Sequence, residues 1–225
     1  MNIKKLFWND LQTIQLLVDS LKNDEVSITS TDTILGLLAN LSEQSFSLLN
    51  HVKKDRTEKP YLILVSSTEK LDRFVDIENL NQNAKNLIEK CWPGPLTIIF
   101  KARKDLPHHI ASKEGKVALR IPSHEYLRKL LDFFDGLFST SANKSGKLSP
   151  KNLYEVDRDV LSKVKYVVLD KKEDLKVDSS SALYQTLPSS IIDISNQREV
   201  LVLRDGAYSI KELEKYYGEK FKKKG

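Results

Sequence analysis

The chain has 225 residues, 40% of them hydrophobic and 30% charged, and a formal net charge of +5. That length supports one sizeable core and at most two small ones, and the composition is ordinary for a soluble globular protein. No uncharged apolar run is long enough to span a bilayer, the N-terminus has no apolar signal segment, and the single cysteine, Cys91, excludes an internal disulfide and a cysteine-built metal site.

Asn9-Asp10 reads as an N-cap for a helix through LQTIQLLVDSL, in which Leu11, Ile14, Leu17, Val18 and Leu21 form one face. VSIT (Val26–Thr29) predicts a short strand, and STDTILGLLAN a turn entering a helix. Ser42 and Gln44 precede a second helix at FSLLNHV. YLILVSS (Tyr61–Ser67) is a near-continuous apolar run and predicts a strand buried on both faces. A helix over Leu80–Lys90 ends at Trp92-Pro93-Gly94-Pro95, and PLTIIFKA follows as a strand. Cys91, at that helix end, is expected to be a buried structural thiol. KVALRIPS predicts a strand, HEYLRKLLDFF a helix and LFST a strand. Ser149-Pro150 is a cap-and-first-turn pair for a helix through NLYEVDRDVLSKV. YVVLD, SSIIDIS and EVLVLRD complete the strands. Helices alternate with strands before strands take over, so the expected fold class is α/β, a single-domain twisted open mixed sheet with helices.

Four polar clusters stand at strand ends, where open α/β sheets tend to bind ligands. Ser30-Thr31-Asp32-Thr33 is either a capping sequence or an anion site at a helix N-terminus. Lys53–Pro60, KKDRTEKP, is either a solvated turn or a phosphate clamp in which Arg56 supplies a planar fork and Lys59 a point charge. Arg120 ends the apolar run VAL and needs an anionic partner, a protein carboxylate or a ligand. The fourth cluster, Ser139-Thr140-Ser141 with Asn143, Ser145 and Gly146, offers many short hydroxyls and no charge. It suits phosphates, ribose hydroxyls or a small zwitterion held by neutral hydrogen bonds.

Some chemistries are missing. His51, His108, His109 and His124 have no metal-ligand spacing and read as surface or capping groups. There is no G-x-S-x-G elbow and no P-loop spacing. An enzyme built this way positions reactants rather than attacking them, as phosphoryl and nucleotidyl transfer allow.

Taken in order, these clusters resemble the YrdC/TsaC family of threonylcarbamoyl-AMP synthases. STDTILGLL at Ser30–Leu38 is similar to that family's P-T-[DE]-T-V-Y-G-L-G, with Ser30 and Leu35 in place of its proline and tyrosine. KDRTEKP at Lys54–Pro60 resembles its K-x-R element, WPGPLT at Trp92–Thr97 matches intact, and VALRIPSH at Val117–His124 resembles its V-A-[VL]-R-x-P-x-H. SANKSG at Ser141–Gly146 is intact, PSSIID at Pro188–Asp193 is similar to P-S-T-[IV]-[IV]-D, and LRDG at Leu203–Gly206 fits L-R-x-G. Some members carry a histidine where this chain has Leu64.

The resemblance implies a catalytic domain over residues 1–210, followed by a Lys-rich C-terminal helix or tail at 211–225. It implies condensation of L-threonine, bicarbonate or carbon dioxide, and ATP into threonylcarbamoyl-adenylate and pyrophosphate, with Mg2+ carried by the nucleotide. Its threonine contacts fall on Thr33, Arg120, Ser139 and Ser190, and its ATP contacts on Arg56, Lys59, Lys116, Ser141, Ser149 and Arg204. No protein nucleophile and no protein-held metal are implied, because the substrates supply the attacking atoms. The product would pass to a separate threonylcarbamoyl-transferase complex acting on tRNA, with any tRNA contact of this chain indirect or weak. The expected location is the cytoplasm, with no membrane. A related carbamoyl-adenylate former and an RNA-binding protein of the same fold are the competing readings.

Overall fold

A computed structural model describes residues 3–54, 60–171, 187–196 and 198–223. Its strands are β1 (Lys4–Phe7), β2 (Ser27–Thr29), β3 (Gly36–Ala39), β4 (Leu62–Leu64), β5 (Leu96–Lys101), β6 (Lys116–Arg120), β7 (Leu137–Ser141), β8 (Tyr166–Leu169), β9 (Ser190–Asp193), β10 (Leu201–Arg204) and β11 (Lys222–Lys223). Its helices are α1 (Thr13–Lys22), α2 (Glu43–Lys53), α3 (Gln82–Cys91), α4 (Glu125–Leu131), α5 (Arg158–Leu161) and α6 (Ile210–Tyr217). The strands form one mixed sheet in the order β1-β8-β2-β3-β7-β4-β6-β5-β9-β10-β11.

Side chains alternate between the two faces of a strand, and the two faces are covered unequally. One face carries the larger core. Ile28, Leu37, Ile63, Phe138, Leu119, Ile98 and Ile192 meet Leu49 and Val52 of α2, Leu87 and Ile88 of α3, and Leu213 and Tyr217 of α6 there. On the other face, α1 and α4 cover only the strands on the β1 side, through Leu17, Val18, Leu21, Leu127, Leu130 and Leu131 against Leu38, Leu64, Leu137 and Val168. Among the described residues, no helix covers the same face of β6, β5 and β9. Because Val117 and Leu119 of β6 belong to the large core, Lys116, Ala118 and Arg120 lie on this second face. This half of the sheet, which carries Lys116 and Arg120, is therefore where ligand-binding groups can gather.

Side-chain caps set most helix starts: Ser42 for α2, Asn81 for α3, His124 for α4, Asp157 for α5 and Ser209 for α6. Three expectations are corrected. GLLAN is not a helix. Its four buried residues form β3, hydrogen-bonded between β2 and β7, as suits an apolar run covered on both faces. NLYEVDRDVLSKV is not one helix after Ser149-Pro150. Asn152 caps a short 3-10 turn at Leu153–Glu155, and Asp157 starts a separate α5, so two local side-chain caps divide the segment. The first helix begins at Thr13 rather than after Asp10, and Leu11 is fully exposed instead of joining the apolar face. Of the two alternatives for the last segment, helix or tail, a helix is present: α6 buries Leu213 and Tyr217, and β11 then pairs with β10. Cys91 is buried, and that burial pushes its thiol up to about 12, which makes it inert as a nucleophile.

Candidate active site

Arg120 is 4% exposed at the end of β6. Its Nη2 is paired with Oδ1 of Asp32, and its Nη1 donates to Oγ1 of Thr33 at 3.1 Å. The open choice between a protein carboxylate and a ligand is thus half answered: the protein supplies Asp32. The Nε–H of Arg120 is buried without a hydrogen-bond partner among the described residues. A buried donor left unspent is costly, so this guanidinium has one N–H in want of an acceptor. Asp32 is itself oriented by Ser123, whose N–H and hydroxyl both donate to Oδ2 at 2.9 and 3.1 Å. Thr31 Oγ1 accepts from the Thr33 N–H at 3.1 Å and donates to the Ile34 carbonyl at 2.8 Å. The first polar cluster is therefore a side-chain-braced turn between two strands, not a helix N-terminus.

A second guanidinium stands nearby. Arg204 donates from Nε to the Ser189 carbonyl at 2.8 Å and from Nη2 to Ser189 Oγ at 3.0 Å, and Ser189 Oγ lies 2.8 Å from Thr97 Oγ1. Burial, and then the positive charge of Arg120, hold the Arg204 guanidinium below its ordinary pKa. Arg120 is lowered by burial against the opposing pull of Asp32. Both stay charged at neutral pH, since arginine is not deprotonated in proteins. Among the described residues, two arginines against one Asp32 leave the cluster with excess positive charge, which suits a carboxylate or phosphate.

At the far end of β6, Lys116 Nζ binds Asp193 Oδ2 at 2.8 Å. Burial pushes the Asp193 carboxyl up, but hydrogen bonds from Lys116 and Ser195 outweigh it and leave the pKa lowered below 3.8. A carboxylate with a depressed folded-state pKa adds stability above its unfolded value, and that contribution fades as pH falls through the folded value. Asp193→Asn should therefore flatten the loss of stability as pH falls below the ordinary carboxylate range in urea titrations; an unchanged slope contradicts this.

The expected contacts divide as follows. Thr33, Arg120 and Arg204 come together. Ser139 is buried on β7, its Oγ 3.5 Å from where a Cβ on Gly36 would lie. Ser141 is at the end of β7, and its hydroxyl proton goes to Asn143 Oδ1, so towards a ligand it is an acceptor and not the neutral donor its type suggests. Ser149 is half-buried after that turn. Arg56 and Lys59 lie outside the described residues.

Ser190 departs from expectation. It pairs with Leu96 on the large-core side of the sheet, is 0% exposed, and donates to Tyr208 O at 2.7 Å while accepting from the Gly206 and Tyr208 N–H groups. Its hydroxyl is fully used in holding the loop after β10. Ser189, one residue earlier, faces Thr97 and Arg204. The two adjacent serines should separate on substitution. Ser190→Ala should cost about 1–3 kcal/mol of stability by orphaning buried backbone groups. Ser189→Ala, which leaves buried Thr97 and one N–H of Arg204 unpaired, should cost a similar amount but also lower threonine-dependent turnover about tenfold, whereas Ser190→Ala should leave turnover of the folded enzyme near wild type. Melting curves and kinetics on the two variants check this, and the reverse pattern refutes it.

The Sua5/YciO/YrdC family, described as telomere recombination, matches residues 19–206. The chain belongs to that family. A Methanocaldococcus jannaschii protein provisionally named a threonylcarbamoyl-AMP synthase is 32% identical over 203 residues, 90% of this chain and 89% of that one. A Pyrococcus abyssi threonylcarbamoyl-AMP synthase is 28% identical over 208 residues, 92% of this chain but only 57% of that one. The solved structure of P. abyssi Sua5 complexed with L-threonine superposes with a TM-score of 0.84 at 25% identity, covering 100% of this chain and 63% of that one. No helix among the described residues is long and apolar enough to cross a membrane.

Proposed function

We propose that this member of the Sua5/YciO/YrdC family is a threonylcarbamoyl-AMP synthase. It joins L-threonine, bicarbonate or carbon dioxide, and ATP into threonylcarbamoyl-adenylate, releasing pyrophosphate. The observation that carries the reading is the buried Arg120, braced by Asp32 and Thr33 with its Nε–H unspent, beside a second arginine. That arrangement fits an amino-acid carboxylate held next to a nucleotide. The relative solved with L-threonine supports the amino-acid half.

The chemistry needs no protein nucleophile. The threonine amine, once deprotonated, attacks the carbon of carbon dioxide and forms a carbamate. A carbamate oxygen attacks the α-phosphorus of ATP, and the bond to the β-phosphate oxygen breaks to free pyrophosphate. In this reading Thr33, Arg120 and Ser139 hold threonine, with Ser189 in the place first given to Ser190. Arg56, Lys59, Lys116, Ser141, Ser149 and Arg204 hold ATP. Among the described residues, Asp32 is taken by Arg120 and Ser123, and Asp193 by Lys116. Mg2+ would come with the ATP phosphates. The adenylate would pass to a threonylcarbamoyl-transferase complex that modifies tRNA in the cytoplasm.

Pyrophosphate release by the pure protein tests this. Release that requires ATP, threonine and bicarbonate together is expected. Release driven by carbamoyl phosphate without threonine would instead assign a carbamoyl-adenylate former. Absence of release alongside salt-sensitive tRNA binding would assign an RNA-binding protein.

A further inference from the structure

Lys53 ends α2 and is 2% exposed, although it is a lysine. Its ammonium donates to the Ser141 carbonyl at 2.8 Å, the Asn143 carbonyl at 2.5 Å and Asn143 Oδ1 at 2.8 Å. An ammonium has three N–H donors, so one side chain meets three oxygens of a single turn, Ser141–Gly146. Burying an ammonium is expensive unless its hydrogens are taken, so the turn and the cation must keep this one geometry together.

The rest of the turn is wired to the same point. Asn143 Oδ1 accepts from Lys53 and from the Ser141 hydroxyl, and its Nδ2 donates to the Lys147 carbonyl. Lys53 thereby fixes the Asn143 amide, and the amide fixes which way the Ser141 proton points. The Lys53 carbonyl accepts from the Ser145 N–H at 2.9 Å, and the Leu35 carbonyl from the Ala142 N–H at 3.0 Å. From outside, Lys144 bonds Asp157 and Asp159 at 2.8 Å each, and Lys54 bonds Asp159 at 2.9 Å. The segment leading to Arg56 and the turn carrying Ser141 are thus tied to each other twice, and only the inner tie is shielded from solvent and salt.

We propose that Lys53 is a positioning residue. It sets the Ser141–Gly146 turn, and through it the nucleotide half of the site, without touching substrate. This rests on the nucleotide-binding reading of that turn. The threonine half is held by separate contacts, Arg120 to Asp32 and Thr33, and Ser123 to Asp32, so the two halves should respond differently.

The test is saturation kinetics of pyrophosphate release on the full chain, with ATP and threonine varied in turn, for wild type and Lys53→Met. The substitution keeps the unbranched chain up to the ε position and removes the donors. The Michaelis constant for ATP should rise about tenfold or more while that for threonine stays within about twofold. Equal rises in both constants, or none, would overturn the assignment, since general loosening does not select one substrate. If Lys53→Met does not fold, Asn143→Ala removes one of the three acceptors and frees the Ser141 proton. It should show the same ATP-selective rise, smaller in size, and an ATP constant equal to wild type overturns the proposal. A wild-type protein that releases no pyrophosphate under any condition fails the nucleotide reading instead, which is a separate result from an active wild type with an indifferent variant.

Discussion

Arg120→Ala should abolish threonine-dependent activity and also destabilise the fold by about 3–5 kcal/mol, the cost of leaving a buried carboxylate without its cation. The abandoned group is Asp32, whose side chain is 7% exposed. Loss of activity alone would then be ambiguous, because an unfolded enzyme is also inactive. The double variant Asp32→Ala/Arg120→Ala resolves this. With both charges gone, most of the lost stability should return, since removing a whole buried pair is far less damaging than removing one member. Activity should not return, because the carboxylate of threonine still lacks its partner. Chemical denaturation and threonine saturation on the single and double variants measure the two effects separately. If the double variant regains turnover, Arg120 serves only to balance Asp32, and its role in holding threonine is wrong.

The same pair shows what could be read from the chain alone. Arg120 stood out because an arginine closing an apolar strand needs an anion, and that argument requires no coordinates. Its partner Asp32 was visible only as one of four small polar residues, because pairing across 88 positions leaves no periodic trace. The strands β4, β5, β6, β7 and β8 were legible from apolar runs and their punctuation. GLLA was misread because four apolar residues fit a buried helix turn or a strand equally well, and only its place between β2 and β7 decides. The assignment to Ser190 came from the family resemblance, and the local pattern offered no check on it. In SSIID, Ile191 and Ile192 are both apolar, so alternation does not say which serine faces the core, and the pairing of Ser190 with Leu96 does. Lys53 was hidden among charges. KKDR reads as a solvated run, and nothing local shows that its first lysine turns inward onto a turn some 90 residues away.

Gly206→Ala should have the second large effect, and it should act at a distance. A Cβ at position 206 would lie 2.5 Å from the Pro188 carbonyl oxygen and 2.7 Å from the Ser189 carbonyl, both backbone atoms that cannot rotate aside. The loop after β10 would have to lift from the Pro188–Ser190 segment. The contacts there go together: the Ala207 N–H to Pro188 O at 3.0 Å, the Gly206 and Tyr208 N–H groups to Ser190 Oγ, and both bonds from Arg204 to Ser189. Overpacking of this kind costs about 1–3 kcal/mol. The functional loss should be larger than that, because a displacement of about 1 Å in a positioning group can cost on the order of a hundredfold in rate. The route is Arg204, so the two lesions should not add. Gly206→Ala/Arg204→Ala should be no slower than Arg204→Ala alone, as expected for substitutions sharing one network. Multiplying losses would mean that Gly206 supports the site by another path, and near-normal turnover in Gly206→Ala would show that the loop yields without moving the guanidinium.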